Sequence, residues 1–432
     1  MRPRAAGRRG KGIASLPGMR TVLLPAALLA AGLLAAACRS DSTAPAKTTT
    51  RRGFGSAVHY GSNGISLGKT LIADLNGDGR KDVVVAGQQG GNAVLLAYYQ
   101  NATGGLDGPT VIPVPNLALS SIAVGDLDGD GRTDVAVAGQ GTLVLSGYFG
   151  RAYVFLQDPA SHALAVKESV TVSNNYPGDI AIGDVNGDGR SDLVVSGLWV
   201  VAPDSGRLSV FYQQAGGTLG PETISDAPGT ESYGEVKIAD MNGDGRNDIV
   251  LQGGMLSISV LLQQGNGTLA AAPARYDVVT SYWPRANAFA VGDVTGDGKN
   301  DIVVLDPGNA GTVNLFTQGA GGSFTRTTPL TLSESPFGVQ IADVDGDGLN
   351  DIVGDEVAPG APTGIGMVRV WAQSAAHAFA DPAATFTFAT SAGGGSQQYQ
   401  SLAIGDVTGD GLPDAVVSWM AEGIWVLPGT IQ

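Results

Sequence analysis

Seven stretches of nine residues set carboxylates at one fixed spacing, and that spacing defines the chemistry open to this chain. The first reads Asp74-Leu75-Asn76-Gly77-Asp78-Gly79-Arg80-Lys81-Asp82, and its pattern D-x-[NDT]-G-D-G-x-x-D returns six more times. Aspartate fills positions one, five and nine throughout. These are Asp74, Asp78 and Asp82; Asp126, Asp130 and Asp134; Asp184, Asp188 and Asp192; Asp240, Asp244 and Asp248; Asp293, Asp297 and Asp301; Asp343, Asp347 and Asp351; Asp406, Asp410 and Asp414. Position three is Asn76, Asp128, Asn186, Asn242, Thr295, Asp345 or Thr408, an oxygen donor every time. Position seven is Arg80, Arg132, Arg190, Arg246, Lys299, Leu349 or Leu412, as fits a residue that lends only its carbonyl.

Calcium takes about 6–8 oxygen ligands at about 2.3–2.6 Å in adaptable geometry. Side chains at positions one, three, five and nine, with the carbonyl at seven, can wrap one such ion. Glycine at positions four and six allows backbone angles that a side chain would forbid. The expected cofactor is calcium, up to seven ions. The fifth and seventh loops are expected to bind most weakly, since Thr295 and Thr408 offer a neutral hydroxyl where aspartate would add charge.

The flanking sequence decides what holds these loops. A helical EF-hand needs a bidentate glutamate at position twelve. Here that position is Val85, Val137, Val195, Leu251, Val304, Gly354 or Val417, beside short β-type runs such as Ser121-Ile122-Ala123-Val124. Each loop therefore caps a β-hairpin. Successive loops are 52, 58, 56, 53, 50 and 63 residues apart, a period of propeller blades with four strands each. Glycine at 65 residues, proline at 22 and aromatics at 6% agree with short strands and many turns.

The two ends fit together on this reading. After the seventh loop only two strands follow before Gln432, whereas residues 53–60 resemble a fourth strand placed before the first loop. Residues 53–60 should complete the seventh blade beside residues 424–428, leaving no open strand edge. The predicted fold is all-β, a seven-bladed β-propeller over residues 53–432.

Residues 1–37 read as an export signal, with an apolar run from Thr21 to Ala37 too short and alanine-rich for a membrane span. Met19 is an alternative start. The segment ends Leu34-Ala35-Ala36-Ala37-Cys38, with the chain's single cysteine last. This resembles a bacterial lipoprotein signal, which implies lipidation of Cys38 and an envelope location, either outer membrane or cell surface. An ordinary secretory signal with an incidental cysteine is the alternative. A lone cysteine allows no internal disulfide, so metal would have to do the stapling. Residues 38–52 read as a flexible tether.

Charge supports the metal reading. The chain carries −15, and 23 of its 40 acidic residues lie in the seven loops. The leader holds six of the 25 basic residues and no acid, leaving −21, which seven dications would bring to about −7, ordinary for a soluble surface. That acidity argues against a nucleic-acid partner. A monomer touching a membrane only through its lipid is expected.

The phrase Ile-Ala-Val-Gly-Asp-Leu-Asp-Gly-Asp-Gly-Arg-Thr-Asp-Val-Ala-Val resembles the FG-GAP/VCBS repeat family, and residues 53–432 as a whole resemble the seven-bladed propeller of integrin α-subunits. The resemblance implies calcium in the hairpins of one face and, in some members, ligand binding on the other. Members include adhesion modules, lectins and accessory regions of polysaccharide-degrading enzymes.

On the face opposite the loops, connections vary in length at 139–151, 197–207 and 354–367, and variable loops on a rigid scaffold carry function. Aromatic residues Tyr176, Tyr233, Tyr282, Trp283, Phe337 and Tyr399 fall in turns there. They either wedge neighbouring blades or form a site for a glycan or protein, best represented by Trp199, Trp283, Arg285 and Tyr399. An enzyme finds little support. His162 and His377 hold equivalent turn positions, and no nucleophile elbow, phosphate loop or zinc-spaced His/Cys set occurs. Asp306, Asp355 and Glu356 leave a polysaccharide lyase or glycoside hydrolase as the alternative from another class, and a structural surface module as a third.

Overall fold

The computed structural model describes residues 52–141, 149–199, 205–226, 233–253, 257–278, 289–306, 312–331, 338–357, 365–379, 384–390, 400–419 and 422–431. Apart from one 3-10 turn at Ala320–Gly322, every regular element among them is a β-strand. Seven antiparallel sheets of four strands make seven blades, here I to VII in chain order. No described helix is long and apolar enough to cross a membrane.

Blade I shows the rule. Its strands A to D are Ser66–Ala73, Asp82–Gln89, Asn92–Tyr98 and Thr110–Pro113, paired in sequence. Strand B is apolar on both faces, with Val83, Val84, Val85 and Ala86 all buried, because a blade lies against each side of it. Strand D, at the rim, is mostly exposed. The first strands of successive blades pack on one another all the way round, including blade VII on blade I. They converge enough for Lys69 of blade I to reach Asp179 of blade III at 2.7 Å.

Ring closure follows the expectation. Val58–Gly61 is strand D of blade VII, running antiparallel to Gly423–Leu427, with Val58 opposite Val426. A second clasp lies beyond it, where Arg52–Phe54 pairs with Gly429–Ile431.

Seven apolar clusters fill the seven interfaces between blades, and each contains position two of one loop. Leu75 packs among Tyr153, Phe155 and Leu164 of the next blade, and Val344 among Phe54, Ala415 and Leu427. Leu127, Val185, Met241, Val294 and Val407 repeat the arrangement. Each loop is thus pegged into the neighbouring blade.

Two sequence expectations about boundaries are corrected. Strands run further than the turn-rich composition implied: Asp355 lies within Asp351–Val357, paired with Val368 and buried, not on a variable loop. Tyr176 and Tyr233 likewise open strand A of blades III and IV instead of lying in turns. In both cases pairing to the neighbouring strand extends regular structure past residues that looked loop-like alone.

Candidate metal centres

Every loop runs from the end of strand A to the start of strand B, with Ala73 paired to Asp82 closing the first. Position one organises the turn from inside. Asp74 Oδ1 accepts the Gly77 amide at 2.7 Å and Oδ2 accepts the Gly79 amide at 2.8 Å. Gly77 and Gly79 have φ of 72° and 84°, so glycine is required for both amides to turn inward. The same pair of bonds recurs from Asp126, Asp184, Asp240, Asp293, Asp343 and Asp406. Position five turns the loop's last corner, Asp78 Oδ1 accepting the Arg80 amide at 2.9 Å.

Position nine ties the loop to its blade. Asp82 is fully buried; its Oδ2 accepts the Leu75 amide at 2.9 Å and its Oδ1 the Gln100 amide at 2.8 Å. Asp134, Asp192, Asp248, Asp301, Asp351 and Asp414 hold the equivalent pairs. One carboxylate therefore fixes the loop, the strand B start and the end of strand C.

Position three divides the loops. Asn76 Oδ1 accepts the Asp78 amide at 3.0 Å, and Asp128, Asn186, Asn242 and Asp345 act alike. Thr295 instead donates its hydroxyl to Asp301 at 3.1 Å, and Thr408 donates to Asp414 at 3.4 Å. Ligand oxygens of Asp126, Asp128 and Asp130 lie within 4.8 Å of one another, as do those of Asp343, Asp345 and Asp347. Hard oxygen donors converging so closely suit a hard dication.

Electrostatics point the same way. Burial pushes the carboxyls of Asp82, Asp134, Asp192, Asp248 and Asp351 up to about 6, against the pull of the two amides each accepts, and neighbouring aspartates add to the rise. Asp301 and Asp414 are raised by burial too. Asp128 is raised by burial and by Asp130 and Asp126 beside it. These are carboxylates held where negative charge is costly, which a bound cation would offset.

Position seven does more than its carbonyl requires. The guanidiniums of Arg80, Arg132, Arg190 and Arg246 pair with Asp78, Asp130, Asp188 and Asp244 in their own loops, and Lys299 pairs with Asp297 at 2.8 Å. Leu349 and Leu412 cannot. Five basic residues in seven was the legible signal, hidden by reading the position as free.

Turns between strands C and D share the face of the loops, as alternating strands require. A Cβ on Gly104 would lie 2.7 Å from the Thr408 carbonyl of the preceding blade's loop. His162 and His377 take φ of 58° and 55° in such turns, against Gly77 and Gly296 respectively. Turn residues they are.

Three of the four residues expected to meet a ligand are not among those the structure describes. Trp283, Arg285 and Tyr399, with Tyr282, Phe337 and the lipidation candidate Cys38, lie outside the described residues. Trp199 ends strand B of blade III, its backbone opposite Ser205. Asp306 closes strand B of blade V opposite Thr312.

This geometry defines a class: a seven-bladed β-propeller built of hairpins capped by acidic loops. Comparison adds the repeat type, since residues 74–137, 240–304 and 293–354 match the FG-GAP-like repeat family. The chain is similar to integrin alpha-IIb of mouse, 28% identical over 211 residues, and to integrin alpha-IIb of human, 28% identical over 216. Each match covers 43% of this chain and 19% of the integrin, so the chain spans about a fifth of the length of these relatives. The chain is a seven-bladed propeller, parts of which match FG-GAP-like repeats and are similar to integrin alpha-IIb.

Proposed function

We propose that this propeller is a calcium-stabilised binding or adhesion module, exported and anchored at the bacterial envelope through a lipid on Cys38. Its partner would be a glycan or a protein, met on the face opposite the acidic loops. The observation that carries this reading is the sevenfold recurrence of one carboxylate arrangement, each copy pegged into the next blade. Bound calcium would supply positive charge to carboxylates that burial has made costly. Asp, Asn and Thr side chains at positions one, three, five and nine would hold it, with the position-seven carbonyl. The chain's own bonds then fix each hairpin tip and leave the opposite face free to vary.

Trp199, Trp283, Arg285 and Tyr399 are the candidates for contact, as aromatic faces that stack on a sugar or grip a peptide, with a cation beside them. A hydrolytic reading is less favoured, because Asp355, one of its three acids, is buried within a strand. Screening the leaderless chain against glycan arrays and envelope or matrix proteins, with and without chelator, tests the proposal. Binding without any release of reducing ends, lost in Trp283→Ala, is the expected result. Release of cleavage products from a polysaccharide would overturn it in favour of an enzyme.

A further inference from the structure

Six blades carry a glutamine at or two residues past the end of strand C: Gln100, Gln157, Gln213, Gln263, Gln318 and Gln373, none more than 4% exposed. Burying an amide that serves nothing is costly, and an apolar residue would fill the space. The glutamines serve two blades at once. The backbone amide of each bonds to position nine of its own loop, as Gln157 does to Asp134 at 3.0 Å and Gln263 to Asp248 at 2.7 Å. The side chain crosses to the loop of the preceding blade. Gln157 donates to the Asp74 carbonyl at 3.5 Å, Gln318 to the Asp240 carbonyl at 3.4 Å, and Gln373 to the Val294 carbonyl. Gln100, Gln213 and Gln263 lie against the position-four glycines Gly409, Gly129 and Gly187. The side-chain nitrogens of all three are buried there with no partner among the described residues, so these glutamines hold the preceding loop by packing.

Position eight adds a direct bond between loops at three successive junctions. Asn247 donates to the Asp184 carbonyl at 3.2 Å, Asn300 to the Asp240 carbonyl at 3.0 Å, and Asn350 to the Asp293 carbonyl at 2.7 Å. Each asparagine precedes the position-nine aspartate of its own loop and grips position one of the loop before. Two carboxylates meant for different ions are thereby joined through a few covalent and hydrogen bonds.

Between blades VI and VII neither residue type is present at these positions. In blade VII position eight is Pro413, which offers no side-chain donor, and Gly429 stands where the other blades have glutamine. The Gly429 amide still bonds to Asp414 at 2.7 Å, but it has no side chain to reach Asp343–Asp351. That junction is also where the two ends of the chain meet.

We infer that the seven loops are an open chain of coupled cation sites. The chain starts at the Asp406 loop, passes through the loops at Asp74, Asp126, Asp184, Asp240 and Asp293, and ends at the Asp343 loop. Its break lies between blades VI and VII. Ordering one loop around a cation fixes its backbone between positions one and four, and so the glutamine or asparagine of the next blade and the carboxylate beside it. The second loop then loses less freedom on binding, which is a coupling free energy between sites. Coupling is strongest from the Asp240 loop to the Asp343 loop, where both devices are hydrogen-bonded to the preceding loop.

This inference rests on the calcium reading above, and calorimetric calcium titration of the full chain, with ions counted by elemental analysis, separates the two. Expected are about seven ions and a binding curve steeper than independent sites give. The variant Asn247→Ala, Asn300→Ala, Asn350→Ala should keep its ion count, yet bind over a wider range with a midpoint free calcium about fivefold higher. Pro413→Asn, which supplies the missing donor, should steepen the native curve. A full complement of ions with unchanged curves in both variants would overturn the coupling alone. A chain that binds no calcium would overturn the reading beneath it.

Discussion

Asp82 opens strand B of blade I and Gln100 follows the end of strand C, and the Gln100 amide donates to the Asp82 carboxylate at 2.8 Å. The other oxygen of that carboxylate accepts the Leu75 amide at 2.9 Å. A residue first read as a metal ligand is thus also the joint between loop and blade. Asp82→Ala would leave two buried amides without partners, at about 1–3 kcal/mol each. Urea denaturation should show that loss even in chelator, and elemental analysis should show one ion fewer. Unchanged stability in chelator would mean the joint is unimportant.

Acid should act in opposite directions on the stripped and loaded protein. The buried carboxyls of Asp82, Asp134, Asp192, Asp248 and Asp351 titrate at about 6 when folded, above their ordinary 3.8, and burial raises Asp301 and Asp414 too. Their protonation therefore favours the fold: this contribution is complete below about 3.8 and is lost as pH rises through about 6. In chelator the melting temperature should climb as pH falls from 7.5 towards 4.5. In excess calcium it should fall over the same range, because protons compete for the ligands. Parallel curves in the two solutions would exclude this.

Threonine at position three should make two loops the weakest for calcium. Thr295 spends its hydroxyl on Asp301, and Thr408 on Asp414, where other loops have a side-chain oxygen accepting a backbone amide. Thr295→Asp and Thr408→Asp each add a carboxylate, so calcium should bind more tightly to the substituted loop. Titration calorimetry would register this as loss of the weakest phase.

Closure of the ring depends on a residue outside any four-stranded blade. Phe54 is 2% exposed and meets Phe386 edge-on at 5.2 Å. It also packs beside Val344 of the sixth loop. Phe54→Ala should destabilise the propeller by about 3–5 kcal/mol, read as a lowered urea midpoint. A midpoint matching the native one would show that Val58–Gly61 closes the ring unaided.

Much of this was legible because the propeller repeats itself. Seven copies of D-x-[NDT]-G-D-G-x-x-D declared hairpin tips, their spacing declared blades, and the missing fourth strand after Ile424 declared the closure by residues 53–60. What escaped was short or spread across repeats. Arg52–Phe54 and Gly429–Ile431 are three residues each, too few to show alternation. Gln157 and Asn300 act on the blade before their own, so one repeat read alone gives them no role. The aromatics Trp283 and Tyr399 stay unassigned, since sequence cannot give distances between residues on different blades.

The most direct measurement is a melt of the full-length protein, as purified and after exhaustive chelation at neutral pH, with its bound metal counted beforehand. About seven calcium ions per chain and a melting temperature more than about 10 °C lower after stripping are expected, since many small stabilising terms are lost together. A metal-free chain that melts where the loaded one does would contradict the assignment of these carboxylates to calcium.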